Sequence, residues 1–179
     1  MIVWINGTFG VGKTTTGAAL RDQTGWRMFD PEHVGYLLAA NLKDHEFDDF
    51  QDLPPWRTLV PVVAEEVFRY TRSDVMLAVQ TVLTQDYWKE LKVGLESRGL
   101  SVHHVVLRCE TEELKRRIET DEVESQAREW RLDHVDRFES ALGTWMADAA
   151  DLVVDTTDLD PEAVARSIAE STTERRSTQ

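Results

Sequence analysis

The chain reads as an α/β fold built on a parallel sheet, and three observations carry that reading. Short apolar runs alternate with longer stretches of helical periodicity along the whole length. The first run, Ile2-Val3-Trp4-Ile5, is followed at once by a glycine-rich loop and then by a helical pattern. Asp-Pro pairs at Asp30-Pro31 and Asp160-Pro161 sit where helices should begin, with Asp as the cap and Pro at the first helical position. Strands that alternate with helices require right-handed crossovers, a parallel sheet and helices on both faces.

Each element follows from local pattern. Ile2 to Ile5 is an apolar run with β-branched residues, as a buried strand requires. Thr16, Ala19 and Leu20 recur at helical spacing after Lys13, and Gly25 precedes a second strand, Trp26 to Phe29. Val34, Leu37, Leu38 and Leu42 mark the buried face of the next helix. Lys43 to Asp52 is acidic and lacks period, so it reads as a loop or an irregular helix, punctuated by Pro54-Pro55. Trp56, Leu59, Val60, Val63, Val67 and Tyr70 then share one helical face, with Pro61 inside. Asp74 to Val79 is the third strand, and Tyr87, Leu91 and Leu95 form a helix ended by Gly99. Val102 to Leu107, through His103-His104, is the fourth strand, and Thr111, Glu112 and Glu113 open a helix with a cap and an acidic first turn. Asp121 to Gln126 reads as a mobile connection. A long helix follows, with Ala127, Trp130, His134, Phe138, Leu142 and Trp145 in register. Leu152 to Val154 is the last strand, and the final helix carries Val164 and Ile168. Residues 1–170 are expected to form one domain and the polar residues 171–179 a frayed tail.

The loop Gly7-Thr8-Phe9-Gly10-Val11-Gly12-Lys13-Thr14 matches the phosphate-binding pattern of two glycines four residues apart, then Lys and a hydroxyl residue. The glycines let backbone N–H groups approach phosphate oxygens. Lys13 can reach the β- and γ-phosphates, Thr14 can ligate Mg²⁺, and the helix that follows turns its positive end to the same anion. Gly7, Thr8, Phe9, Gly10, Val11, Gly12, Lys13, Thr14 and Thr15 are therefore the expected nucleotide-binding set, for ATP or GTP with Mg²⁺.

The 179 residues carry 33 acidic and 20 basic side chains, a formal net charge of −13. Such a body argues against nucleic acid as partner, and the phosphate site must be a local positive focus. The lone Cys109 allows no internal disulfide and fits a reducing cytoplasm. No apolar stretch reaches membrane-span length, and the N-terminus lacks a signal-peptide pattern. Oligomeric state is left open.

In sheets of this kind ligands bind outside the carboxyl ends of the strands. Asp30 follows the second strand and is the candidate to orient or deprotonate an acceptor hydroxyl; its Asp-Pro context equally supports a helix cap, and the two roles are compatible. Gln80-Thr81 follow the third strand. No acidic residue does, so Mg²⁺ would rest on Thr14, phosphates and water. Asp49, Gln51, Trp56 and Arg57 offer hydrogen bonds and a ring to an acceptor, against a plain surface role for Arg57. Arg117, Arg128, Arg131 and Arg137 are the candidate phosphate clamps, with Arg117, Arg131 and Arg137 leading and Arg137 also expected at the substrate; Asp133–Arg137 and Glu124–Arg128 could equally be helical ion pairs. His103 and His104 lie in an apolar strand without ligands at metal spacing and are read as core residues.

Several of these stretches together resemble the tunicamycin-resistance-type P-loop proteins. They are Ile2 to Gly7, Phe9-Gly10, Gly12 to Thr14, Asp30-Pro31-Glu32, Asp48-Asp49-Phe50-Gln51, Trp56-Arg57, His103-His104, and Trp130 with Val135-Asp136-Arg137. The likeness runs from Met1 to about Thr157. It implies a P-loop NTPase fold with five parallel strands in the order 2-3-1-4-5 and an Arg-bearing lid, related to small phosphotransferases. It also implies a nucleoside antibiotic as the small-molecule acceptor. The chain departs from the pattern at Gln80, where the family has Pro before Thr, and at Asp121, where an Arg begins the lid. A kinase of a hydroxyl-bearing small molecule is the leading reading. A nucleotide-dependent protein that sequesters the antibiotic is the alternative. A regulatory GTPase lacks its Asn-Lys-x-Asp guanine signature here.

Overall fold

The computed structural model describes residues 1–121 and 128–178. Five parallel strands form one sheet: β1 (Ile2–Asn6), β2 (Arg27–Phe29), β3 (Met76–Val79), β4 (Val102–Arg108) and β5 (Leu152–Asp155). Their order is β2-β3-β1-β4-β5. In register, Val3 lies beside Leu77 and His103, and Ile5 beside Val79 and Val105. β1 is therefore central, and it is buried on both faces. That explains its unbroken apolar run: Ile2 and Trp4 enter one core layer, Val3 and Ile5 the other.

The first layer holds Trp4, Trp56, Val60, Met76, Trp88, Leu91, Leu95 and Phe138. They come from β1 and β3 and from the helices α3 (Pro54–Thr71), α4 (Gln85–Glu96) and α6 (Arg128–Ala141). The second holds Leu20, Leu107, Leu114, Ile118, Val164 and Ile168. It is covered by α1 (Lys13–Thr24), α5 (Thr111–Thr120) and α8 (Pro161–Ser177). α2 (Glu32–Asn41) and a 3₁₀ turn (Phe50–Asp52) stand in front of α3. A π-helical turn (Leu142–Met146) continues α6 into the short α7 (Ala147–Ala149). Widening the helix there puts Trp145 and Met146 inside, where the Trp145 indole N–H donates to the Leu83 carbonyl at 3.2 Å.

α3 runs through Pro61 as expected, and Pro61 is buried against Gly94. Two expectations change. β3 begins at Met76, with Asp74 exposed ahead of it. Residues 171–177 are helical rather than frayed, because Thr172 is buried and its hydroxyl meets His103 Nδ1 at 3.0 Å. The connection expected at Asp121 to Gln126 falls, beyond Asp121, outside the described residues, as do Glu124 and Ala127. None of the described helices is long and apolar enough to cross a membrane.

Candidate active site

The glycine loop lies where β1 gives way to α1. Gly7 has φ +145°, and a Cβ there would stand 2.7 Å from the Leu107 carbonyl oxygen. Only glycine fits that approach. Gly12, with φ +93°, turns the chain into α1. The loop is held from behind by the ends of several strands. Asn6, fully buried, accepts from the N–H groups of Gly7 (2.8 Å) and Val82 (2.9 Å) through Oδ1. Its Nδ2 donates to the Val82 carbonyl (3.0 Å) and lies 3.4 Å from His104 Nε2. The Thr81 hydroxyl donates to Gly7 O at 2.8 Å, and the Thr156 hydroxyl, past β5, lies 3.0 Å from Val11 O. Every hydrogen bond here fixes a carbonyl or an N–H away from the loop's mouth, which preorganises the cradle.

Thr14 and Thr15 are exposed at the start of α1; Thr15 Oγ1 donates to Gly12 O at 2.9 Å. Lys13 bends across the loop, its Nζ donating to Thr8 O at 2.7 Å and lying 5.4 Å from the Phe9 ring centre. Val11 and Thr8 have buried side chains, so only their backbones can serve a ligand. Gln80, just past β3 with its N–H on the Ile5 carbonyl at 3.2 Å, is 6% exposed, and its Oε1 is buried with no hydrogen-bond partner among the described residues. A loop of this shape, with two threonines and a lysine at a helix start, fits a polyphosphate and its metal.

On the opposite flank Asp30 is exposed at the carboxyl end of β2, and its Oδ1 accepts from the Glu32 N–H at 2.9 Å. It is a cap with its second oxygen still facing outward toward His33, 3.8 Å away. Asp49 opens the 3₁₀ turn, accepting from the Gln51 N–H (2.9 Å) and from Gln51 Nε2 (3.3 Å). Burial pushes its carboxyl above the usual range, opposed by the Gln51 N–H and by the Arg137 charge.

The other aromatic and arginine side chains near the site are placed as follows. Trp56 is wholly buried, its indole N–H on the Pro31 carbonyl at 3.0 Å, so it presents no ring to a ligand. Trp88 is likewise buried, stacked on His104 at 3.9 Å. Arg57 is 8% exposed and committed to Glu90 (2.8 Å), the Gln51 carbonyl and the Tyr87 ring; it braces the acidic loop. Arg117 holds Glu113 (2.8 Å) and the carbonyls of Thr156 and Thr157 (both 3.0 Å), so it secures the segment behind the loop. Arg131 is buried against Asp121 at 2.7 Å, with its guanidinium 6.0 Å from the Phe9 ring centre. Arg137 is exposed, and its Nη1 lies 3.3 Å from His134 Nε2.

Sequence pattern missed Asn6, Trp130 and His134 as site residues. Asn6 could have been flagged as a polar residue closing an apolar run; the others had no signal beyond helical register. Two surface cavities, of about 380 Å³ by Arg108 to Glu112 and about 750 Å³ by Trp26, Arg27 and Arg176, are lined by no residue of the loop.

Sheet order, loop and flanking helices define an α/β P-loop NTPase. The chain is similar to the tunicamycin resistance protein of Deinococcus radiodurans, at 29% identity and a TM-score of 0.69, over 96% of this chain and 94% of that one. The fold is shared with a sugar kinase of Janibacter sp. HTCC2649 (20%, TM-score 0.65, 96% and 94% covered). It is also shared with the shikimate kinase of Acinetobacter baumannii (17%, 0.63, 97% and 93%). No known family pattern and no curated protein sequence matches the chain.

Proposed function

We propose that this protein is a small-molecule kinase that moves the γ-phosphoryl group of ATP or GTP to a hydroxyl of a tunicamycin-like nucleoside antibiotic and so confers resistance. The observation that carries the reading is the braced glycine loop with Lys13 and the exposed Thr14 at the start of α1, in a fold shared with named kinases. ATP or GTP with Mg²⁺ supplies the phosphoryl group and its leaving group. The loop N–H groups and Lys13 hold the phosphates, and Thr14 takes a place on the metal. Asp30 holds the acceptor hydroxyl in line and receives its proton. Gln80 offers its buried Oε1 to the acceptor. The antibiotic is named by the Deinococcus protein alone; the residues require only a hydroxyl-bearing small molecule, which an acidic chain of this charge suits better than nucleic acid. The lone Cys109, which allows no internal disulfide, supports a cytoplasmic setting for the reaction.

A second reading, nucleotide-dependent sequestration, is favoured by one fact: β3 is followed by Gln80 and not by a carboxylate that would complete the metal site. Incubation of protein, tunicamycin, nucleotide and Mg²⁺, followed by mass spectrometry, separates the two. The kinase reading expects one added phosphoryl group, lost in Lys13→Ala while circular dichroism stays unchanged. Binding without mass gain gives the second reading, and neither binding nor reaction removes the antibiotic.

A further inference from the structure

One aromatic cluster beside the loop is used by nothing above. Trp130, on α6, is 51% exposed, whereas the other tryptophans are buried or half-buried. Its ring is 4.8 Å from Phe9 of the glycine loop and 4.0 Å from His134, one turn along. Phe9 and His134 meet edge to face at 5.5 Å. The His134 ring is pinned at both nitrogens: Nδ1 lies 2.7 Å from the Trp130 carbonyl, which can only accept, so Nδ1 carries the proton. Nε2 is then the acceptor for Arg137 Nη1 at 3.3 Å. Lys13 and Arg131 stand 5.4 and 6.0 Å from the Phe9 centre. The cluster is thus a rigid face between the phosphate loop and α6, with one large ring open to solvent.

Asp49, in the acidic loop, is partly buried and within reach of the Arg137 charge. An aromatic face with a carboxylate and a guanidinium at its edge is what a flat ring with hydrogen-bonding groups requires. Trp56, the ring expected at the acceptor, is closed in the core, as is Trp88.

We propose that Trp130, seated on Phe9 and His134, is the stacking face for the acceptor's ring and sets acceptor specificity, while Asp49 and Arg137 read the ring's edge. The proposal deepens the kinase reading, on whose acceptor site it rests. A nucleobase and a pyranose both present a flat face, and the test distinguishes them.

The experiment is calorimetric binding of uridine, adenosine, methyl glucoside and the acyclic polyol xylitol, with a non-hydrolysable ATP analogue present, to wild type, Trp130→Ala and Trp130→Phe. Stacking of this kind is worth about 1–3 kcal/mol, or roughly 5- to 150-fold in affinity. The expected result is a loss in that range for one ring class in Trp130→Ala, near-complete retention in Trp130→Phe, and unchanged affinity for the ATP analogue. Preference for the nucleosides assigns the base, and preference for the glucoside assigns the sugar. Equal ligand affinity in Trp130→Ala, no binding of any ring compound to wild type, or an equal loss of the ATP analogue would each overturn the proposal. Because binding is read without turnover, a failed phosphoryl transfer leaves it standing. Conversely, phosphorylation of an acyclic acceptor, unaffected by Trp130→Ala, would sink the stacking face and keep the kinase.

Discussion

Two residues show how differently a side chain can be exposed to inference. Asp30 was readable twice over, as a cap before proline and as a carboxylate at a strand's end, and the structure has it capping Glu32 while its side chain remains open. Asparagine keeps most of the capping and cannot take a proton. Asp30→Asn is therefore expected to cut turnover by ~10²-fold with nucleotide affinity nearly unchanged, measured by steady-state kinetics and nucleotide titration. A change of only a few-fold would leave Asp30 as a cap. His104 is the opposite case, since its partners are distant in sequence. Burial lowers its pKa from the ordinary 6.5 to about 4, opposed by the bond to the Ala149 carbonyl. Above pH 6.5 folded and unfolded chains are both neutral there, and the ring costs no stability. As pH falls from 6.5 to 4 the unfolded chain takes a proton that the folded one refuses, so stability drops through that window and levels off below it. The drop is about 3 kcal/mol. His103, also lowered by burial, adds to it in the same direction. Urea unfolding from pH 7.5 to 4 should show this slope, and His104→Gln should flatten it; an equally steep slope in the variant would refute the assignment.

Elements were legible where local chemistry decides them. Gly25 and Gly99, with φ +72° and +77°, end α1 and α4, and Asp160 caps α8 by accepting from the Ala163 N–H at 2.7 Å. The end of α8 was not legible, because Ser171 to Gln179 has no apolar stripe. What holds it is tertiary: Thr172 inside the core on His103, and Arg175 on Asp151 at 2.7 Å. Removing residues 171–179 should then cost stability, about 1–3 kcal/mol from the uncovered polar groups, where a frayed tail would cost none. Thermal unfolding of the truncated chain decides between them. The π-helical turn likewise left no mark in the periodicity, since Leu142 and Trp145 fit an ordinary helix as well.

For the molecule as a whole, strand–helix alternation was enough to give a parallel sheet, and the resemblance supplied the order that the structure shows. The acceptor side was poorly legible for one physical reason. Trp56 and Arg57 belong to a sequence pattern that says nothing about which way a side chain turns, and both turn inward. The bracing of the glycine loop has a consequence for synthesis. Gly7 depends on Thr81, Asn6 on Val82 and His104, and Val11 on Thr156. The glycine loop thus waits for a residue 145 positions beyond Val11 before it can grip a phosphate. Nascent chains stalled with Thr156 still in the exit tunnel should fail to retain nucleotide that released chains retain, so competence to bind ATP would follow the synthesis of β5 and of the residue just past it.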